Sequence, residues 1–174
     1  MALYLIELTP ATASKDEATA LIETVSNSLS EGAELIETQV SADHKLIFAI
    51  IESENTEFAP ALTAAIGERA SVVGPDEVRL VGAELDDIKK LKKDADYLVE
   101  WDIPAEITME QYLTRKKANA PKYAEVPEVS FLRTYVREDT AKCLCFYDAP
   151  DEDAVLRARK AVSTPIDRLF KLHA

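Results

Sequence analysis

Polar residues at alternate positions in two short apolar stretches are the first candidates for chemistry. Glu100 and Asp102 end one stretch, and Arg133 and Tyr135 lie in another. Successive side chains of a strand point to opposite faces, so each pair shares a face if these stretches are strands. The corresponding places nearer the N-terminus carry Glu7, Glu37 and Gln39.

Charged groups on these faces must be paired or solvated if the faces are buried. Arg133 with Glu100 or Glu37 is then the natural ion pair. Two interpretations follow: a structural ion-pair network, or a polar pocket for a small anionic or metal-bearing ligand. No catalytic residue and no metal ligand can be assigned. The candidate ligand-binding residues are Glu100, Arg133, Tyr135, Glu7, Glu37 and Cys145.

Cys143 and Cys145 are the only cysteines, and their spacing puts both on one face of a strand. A disulfide between residues two apart in a strand has poor geometry, and metal-binding frameworks normally need more ligands. Burial as small core residues is the alternative to thiolate chemistry. No histidine is near in sequence to act as a base, since His44 falls in a predicted hairpin turn and His173 near the end.

The elements that position these residues follow a strand–helix–strand–strand–helix–strand order. Strands are predicted over residues 3–8, 35–40, 46–51 and 78–81, with Gly74-Pro75 as a turn. Ser14 and Glu17 form a capping box for the first helix, and Asn55 is the predicted cap of the second. In the strand over residues 35–40, Leu35, Glu37 and Gln39 are predicted to share a face.

The same order then restarts. Residues 97–101 align with residues 4–8, and Thr108 with Gln111 forms a second capping box. This repeat predicts an α+β chain of two tandem ferredoxin-like halves, residues 1–83 and 96–174, joined by a linker over residues 84–95. Each half has one sheet face without helices, so we expect the two sheets to face each other as an intrachain α+β barrel.

Four stretches of the second half carry a family resemblance. They are residues 97–100, 134–139, 142–150 and 165–168, with the sequences YLVE, TYVRED, KCLCFYDAP and PIDR. They resemble a small bacterial family of ferredoxin-like proteins catalogued as a domain of unknown function, of which one branch is described as nickel-binding. The resemblance spans nearly all of residues 96–172, whereas only residues 4–7 of the first half match closely.

The resemblance implies a fold of the dimeric α+β barrel type, normally built from two chains, and a divalent metal as a cofactor. Members typically carry histidine two residues before the tyrosine that matches Tyr135, but this chain has Arg133 there. Arginine stays charged and cannot ligate a metal as a neutral imidazole does. Tight nickel binding is therefore not expected.

The amino-acid composition of the chain limits the classes of molecule that it is expected to bind. A net charge of −12 argues against a nucleic-acid partner, which usually requires a basic surface. No apolar run approaches the roughly 20 residues of a membrane helix, and the N-terminus lacks the basic start of a signal peptide. A cytoplasmic protein is expected, either a monomer with pseudo-twofold symmetry or a homo-oligomer.

Three functions stay open at this point. The first is a small binding protein that holds a metal ion or small molecule in a polar pocket between the halves. The second is a cofactor-free enzyme of the dimeric α+β barrel type, such as an isomerase, cyclase or small monooxygenase. The third is an interaction or assembly module without a pocket. Fold alone does not choose among them, since this architecture hosts many chemistries.

Overall fold

The computed structural model describes residues 1–91 and 94–172 and has a mixed α+β structure. Within these residues the chain forms two compact units: residues 1–78 with 85–91, and residues 79–84 with 94–172. In each unit an antiparallel sheet packs one face against helices. The prediction of an α+β chain is confirmed.

The first unit has the strand order β2–β3–β1–β4, and the last three residues of β4 are grouped with the second unit. Its elements in chain order are β1 (Ala2–Pro10), α1 (Lys15–Ser28), β2 (Glu34–Val40), β3 (Ile47–Ser53), α2 (Ala59–Ile66), a 3₁₀ turn (Gly67–Arg69), β4 (Ala70–Val81) and α3 (Leu85–Lys89).

An apolar core fills the space between the sheet and helices of the first unit. Ser14 caps α1 by accepting a hydrogen bond from the Glu17 amide at 3.1 Å, but the Glu17 side chain accepts from Arg69 Nε, so only the Ser14 half of the predicted capping box is confirmed. The helix then presents an apolar stripe to the sheet. On the strand side, β3 contributes Ile47, Ala49 and Ile51 to this core, all fully buried or nearly so.

Three predictions for the first unit were wrong. Asn55 does not cap α2, since its side chain instead accepts from the Glu57 amide at 2.9 Å. Gly74 lies inside β4 and not in a turn. The pairing of β4 with β1 has a bulge at this point, which accommodates Gly74 and Pro75 within the strand. A bulge between Leu35 and Glu37 in β2 sends Leu35 to the helix-covered face and leaves Glu37 on the other.

The second unit has the strand order β6–β7–β5–β8. Its elements in chain order are β5 (Tyr97–Asp102), α4 (Met109–Asn119), a 3₁₀ helix (Ala120–Glu125), β6 (Ser130–Arg137), β7 (Lys142–Asp148), α5 (Glu152–Ala161) and β8 (Arg168–Lys171).

Local signals fix the two helices of the second unit. The capping box of Thr108 and Gln111 is present with both hydrogen bonds, at 3.0 and 3.2 Å, so that prediction is confirmed. Asp151 caps α5 by accepting from the Ala154 amide at 2.9 Å. Within the described residues, 1–91 and 94–172, no helix is long and apolar enough to cross a membrane.

Candidate functional site

A small cavity lies inside the second unit, between the sheet and the segment that runs from α4 through the 3₁₀ helix, with α5 beside it. Its volume of about 40 Å³ suits a few water-sized groups. Exposed Arg115 and Ala120 are at its rim, and buried Cys143, Cys145 and Arg159 are at its floor. The remaining lining residues are Trp101, Tyr112, Lys116, Asn119, Tyr123, Phe131, Val162 and Thr164.

Helical spacing places four of these residues. Tyr112, Arg115, Lys116 and Asn119 stand at positions i, i+3, i+4 and i+7 of α4, so they share one face of the helix. On the opposite wall, β7 alternates its side chains, which brings the two cysteines and Tyr147 to the helix-covered face of the sheet.

The two cysteines interact at the cavity floor. Their sulfur atoms are 4.0 Å apart, and Thr134 Oγ1 donates to Cys145 Sγ at 3.1 Å. The hydrogen bond with Cys143 holds the pKa of the Cys145 thiol well below its ordinary value. Lys116 and Arg159 lower that pKa further, against the opposing effect of burial. The same hydrogen bond, together with burial, raises the pKa of the Cys143 thiol.

Arg159 is a buried arginine, with 2% of its surface exposed. Its Nη1 donates to the Tyr147 hydroxyl at 3.1 Å, and its Nη2 donates to the Pro165 carbonyl at 2.6 Å. The Tyr147 hydroxyl is also 2.6 Å from that of Tyr123. Burial raises the pKa of Tyr147, and it raises the pKa of Tyr123 to about 12, so both phenols are neutral at physiological pH.

Two buried polar atoms in the lining lack a hydrogen-bond partner within the described part of the chain: Arg159 Nε and the Tyr112 hydroxyl. The Tyr112 hydroxyl lies near Cys143 but makes no hydrogen bond of normal geometry with it. An unpartnered buried donor costs about 1–3 kcal/mol. Both groups therefore favour a polar occupant of the cavity.

The lining is cationic although the chain is acidic. Arg115, Lys116 and Arg159 contribute three positive charges, and no aspartate or glutamate is among the lining residues. Arg115 donates to the Ser163 carbonyl at 2.5 Å and lies over the Trp101 ring. Lys116 Nζ is 4.4 Å from the centre of the Phe131 ring. Within the residues that the structure covers, none of the three cations forms an ion pair with a carboxylate.

The residues predicted from the sequence divide between two faces of the second sheet. Cys145 lies on the helix-covered face, in register with Thr134 of β6 and Val99 of β5. Glu100, Arg133 and Tyr135 project from the opposite face, because alternation sends neighbouring strand positions to opposite sides. Cys145 therefore cannot form one site with those three residues within this unit.

Glu100 is buried, with 3% of its surface exposed, and belongs to an ion-pair cluster. It pairs with Arg168 Nε, and its Oε1 is 3.7 Å from Lys142 Nζ. Arg168 also binds both carboxylate oxygens of Asp102, at 2.5 and 3.0 Å. That hydrogen bonding lowers the pKa of Asp102.

Arg133 and Tyr135 flank one aromatic ring. The Arg133 guanidinium lies 4.9 Å from the centre of the Phe146 ring, and the Tyr135 ring is 5.9 Å from it in an edge-on arrangement. Both side chains are buried. In the first unit, Glu7 and Glu37 are partly buried, and Glu37 Oε1 accepts from Gln39 Nε2 at 3.1 Å.

The described residues give no candidate metal centre. Over residues 1–91 and 94–172, no group of three or more histidine, cysteine, aspartate or glutamate side chains could hold a metal ion. His44 lies between β2 and β3 with a positive φ of 59°. His173 lies outside the described residues.

Fold and site together define a mixed α+β protein whose second unit encloses a cationic, aromatic-lined cavity. Residues 97–172 match the family model described as nickel responsive protein SCO4226-like. The resemblance identified in the second half is therefore confirmed. No curated protein is similar enough to the chain to give a match.

Solved structures with low sequence identity share the fold. A protein provisionally described as a chlorite dismutase, TA0507, is 15% identical with a TM-score of 0.59, covering 100% of this chain and 96% of its own. A provisionally described monooxygenase from Fusobacterium nucleatum is 13% identical with a TM-score of 0.54, covering 98% and 90%. An anthrone oxidase-like protein is 15% identical with a TM-score of 0.51, covering 98% and 89%.

Proposed function

We propose that the chain is a small-molecule-binding protein whose second unit binds a small organic anion in the cavity between α4, α5 and β7. The observation that carries this proposal is the cationic lining, in which Arg115, Lys116 and Arg159 face the cavity without a carboxylate partner within the described part of the chain. Arginine's planar guanidinium suits carboxylate groups.

The lining also indicates the chemistry of the part of the ligand that is not the anionic group. Trp101 and Phe131 present apolar ring surface beside the cations. A carboxylate on a short hydrocarbon chain satisfies both kinds of lining: its oxygens accept from Arg159 Nε, and its carbons contact the rings. A bare metal cation would be repelled by the three positive charges.

Butyrate and its neutral isostere butyramide test this proposal, with Trp101 as the reporter. Trp101 is the only tryptophan in the chain and lines the cavity, so its emission reports occupancy directly. We expect butyrate to bind at least ~10-fold more tightly, since a hydrogen bond to a charged group contributes about 1.5–3 kcal/mol. Arg159→Met should weaken butyrate binding by about 10- to 100-fold for the same reason.

Arg157→Met is the matched control for this experiment. Arg157 lies on the same helix, but its side chain is 57% exposed and pairs with Glu128. The Arg157→Met substitution should leave butyrate affinity unchanged. Circular dichroism should report the same helix content for Arg157→Met and Arg159→Met. Equal affinities for butyrate and butyramide, or an Arg159→Met variant that binds normally, would refute the anion site.

Nickel is not proposed as the ligand, although the family model that matches residues 97–172 carries that metal in its description. Arg133 stands at the place of the expected histidine, and the chain has only two histidines. We expect calorimetric titration at neutral pH to detect no submicromolar nickel binding. Submicromolar binding that survives replacement of both His44 and His173 would show that other ligands suffice.

An enzyme is the alternative function. The observation that favours it is Cys145, a thiol of lowered pKa in a cavity wall, because groups with shifted pKa values concentrate at catalytic sites. A cofactor-free reaction of the isomerase, cyclase or monooxygenase type stays open under this alternative. An assembly module without a pocket is the third candidate.

We further propose that the chain is a tandem of ferredoxin-like halves over residues 1–83 and 96–174. The strand–helix–strand–strand–helix–strand order of each unit supports it. The intrachain barrel, the pocket between the halves, the cytoplasmic location and the choice between monomer and homo-oligomer stay predictions.

A further inference from the structure

We propose that Cys145 is a nucleophile that forms a thioether with short carboxylates carrying an electrophilic carbon, such as α,β-unsaturated acids. This inference rests on the proposed anion site and adds to it the class of ligand and a covalent step. It depends on three features of the cavity: the position of Cys145, the surroundings of its sulfur, and the unpartnered donors nearby.

Cys145 is buried, with 1% of its surface exposed, at the floor of the cavity. It lines the cavity together with Arg159, Lys116 and Tyr112. In the first unit, the helix-covered face of β3 carries Ile47, Ala49 and Ile51, whereas β7 carries two cysteines and a tyrosine on its own helix-covered face. Core packing alone is achieved there with isoleucine and alanine, so it does not require sulfur.

The sulfur of Cys145 is surrounded by groups that stabilise a thiolate. Thr134 Oγ1 donates to it at 3.1 Å, and Cys143 Sγ is within 4.0 Å. Lys116 and Arg159 add positive charge and, with these hydrogen bonds, keep its pKa low. The thiolate is the nucleophilic form of cysteine, so no neighbouring histidine base is needed.

The unpartnered donors indicate where the ligand's carboxylate binds. Arg159 Nε and the Tyr112 hydroxyl are buried, line the same cavity and have no hydrogen-bond partner within the described residues. In the proposed complex the carboxylate accepts from these donors, which keeps the rest of the ligand in the cavity that Cys145 also lines. Holding the two reacting groups together in this way raises the rate beyond that of a free thiol.

The covalent step balances without an oxidant or a cofactor. With an α,β-unsaturated carboxylate, the Cys145 thiolate forms a bond from Sγ to the β-carbon while the carbon–carbon π electrons move to the α-carbon, which takes a proton from water and leaves hydroxide. With iodoacetate, Sγ forms a bond to the methylene carbon as the carbon–iodine bond breaks, and iodide leaves with the electron pair.

Iodoacetate and iodoacetamide test the inference on the full chain at neutral pH. They share the reacting carbon and differ in charge, so the ratio of their rates reports anion guidance. We expect this ratio to exceed that of N-acetylcysteine by at least ~10-fold, on the scale of one charged hydrogen bond. Fragment-ion mass spectrometry should place the label on Cys145 and not on Cys143, and Cys145→Ser should abolish it.

Arg157→Met again serves as the unchanged control, and Arg159→Met should bring the rate ratio back towards that of the free thiol. A ratio equal to that of N-acetylcysteine, or labelling at Cys143 instead, would overturn the inference. Cys145→Ser should still bind butyrate by Trp101 fluorescence. If butyrate binds but Cys145 is not labelled, the covalent step is refuted and the anion site stands. If the unaltered chain does not bind butyrate, the anion site itself is refuted.

Discussion

Replacing Arg133 by leucine is expected to lower the free energy of unfolding by about 3 kcal/mol, in the range measured when one member of a buried charged pair is removed. Arg133 has 3% of its surface exposed, and its guanidinium lies over the Phe146 ring. A charge this deeply buried is tolerated only when partner groups compensate it. Replacing the arginine would leave those partner groups without their counterpart in a poorly hydrated place. Leucine fills part of the volume, so loss of charge compensation dominates the expected cost.

Arg79→Leu is the matched control for that measurement. Arg79 is also a strand arginine, but its side chain is 45% exposed and forms an ion pair with Glu138. Exposed pairs contribute less than about 1 kcal/mol, so this variant should unfold close to the parent. Urea titration separates the two cases if the dependence on denaturant is unchanged. A difference below about 1 kcal/mol for Arg133→Leu would exclude Arg133 from any energetically important network.

Element types were predictable from the sequence because they rest on local signals. The capping residues Ser14 and Thr108 each accept the expected hydrogen bond, and both helices begin at the following residue. The apolar run over residues 46–51 likewise predicted the central strand β3 to within about two residues, the usual uncertainty at element ends.

Strand faces were less predictable, because a bulge changes the alternation without a clear signal in composition. The bulge between Leu35 and Glu37 in β2 breaks the predicted sharing of a face. A second bulge, between Phe131 and Arg133 in β6, follows the same pattern. Arg133 and Tyr135 both come after this bulge, so they share a face as predicted.

The cavity was missed because buried cations are rare. Arg159 directly follows Ala158, within the apolar stripe of α5, and its position four residues after Val155 was the available signal. Arginine at such a place is usually exposed, so the charge argued against burial. On α4, the spacing of Tyr112, Lys116 and Asn119 was equally visible, but polar residues at helical spacing more often form a solvated face.

The pH dependence of Cys145 alkylation by neutral iodoacetamide is expected to differ sharply from that of a free thiol. A free thiol with a pKa near 8.5 becomes about 25-fold more reactive between pH 7 and pH 9, because its thiolate fraction rises over that interval. The pKa of Cys145 lies well below its ordinary value, chiefly because of its hydrogen bond with Cys143, so its thiolate forms at lower pH than that of a free thiol. Its rate should therefore change far less across the same interval.

The direction of this effect follows from the groups that face the sulfur. Positive charge favours the thiolate, so its removal must raise the pKa and move the rise in rate to higher pH. Neutral phenols of raised pKa add no charge below pH 10. The titratable and charged groups around Cys145 are Cys143 and Tyr147 on β7, Tyr112 and Lys116 on α4, Tyr123 on the 3₁₀ helix and Arg159 on α5.

Lys116→Met and Lys117→Met form the decisive pair for this prediction. The two lysines are neighbours on α4, but Lys116 lines the cavity while Lys117 is exposed. Lys116→Met should shift the alkylation profile to higher pH, towards that of N-acetylcysteine, and Lys117→Met should leave it in place. A parent profile that already coincides with N-acetylcysteine, or equal shifts in both variants, would mean that the cavity does not stabilise the Cys145 thiolate.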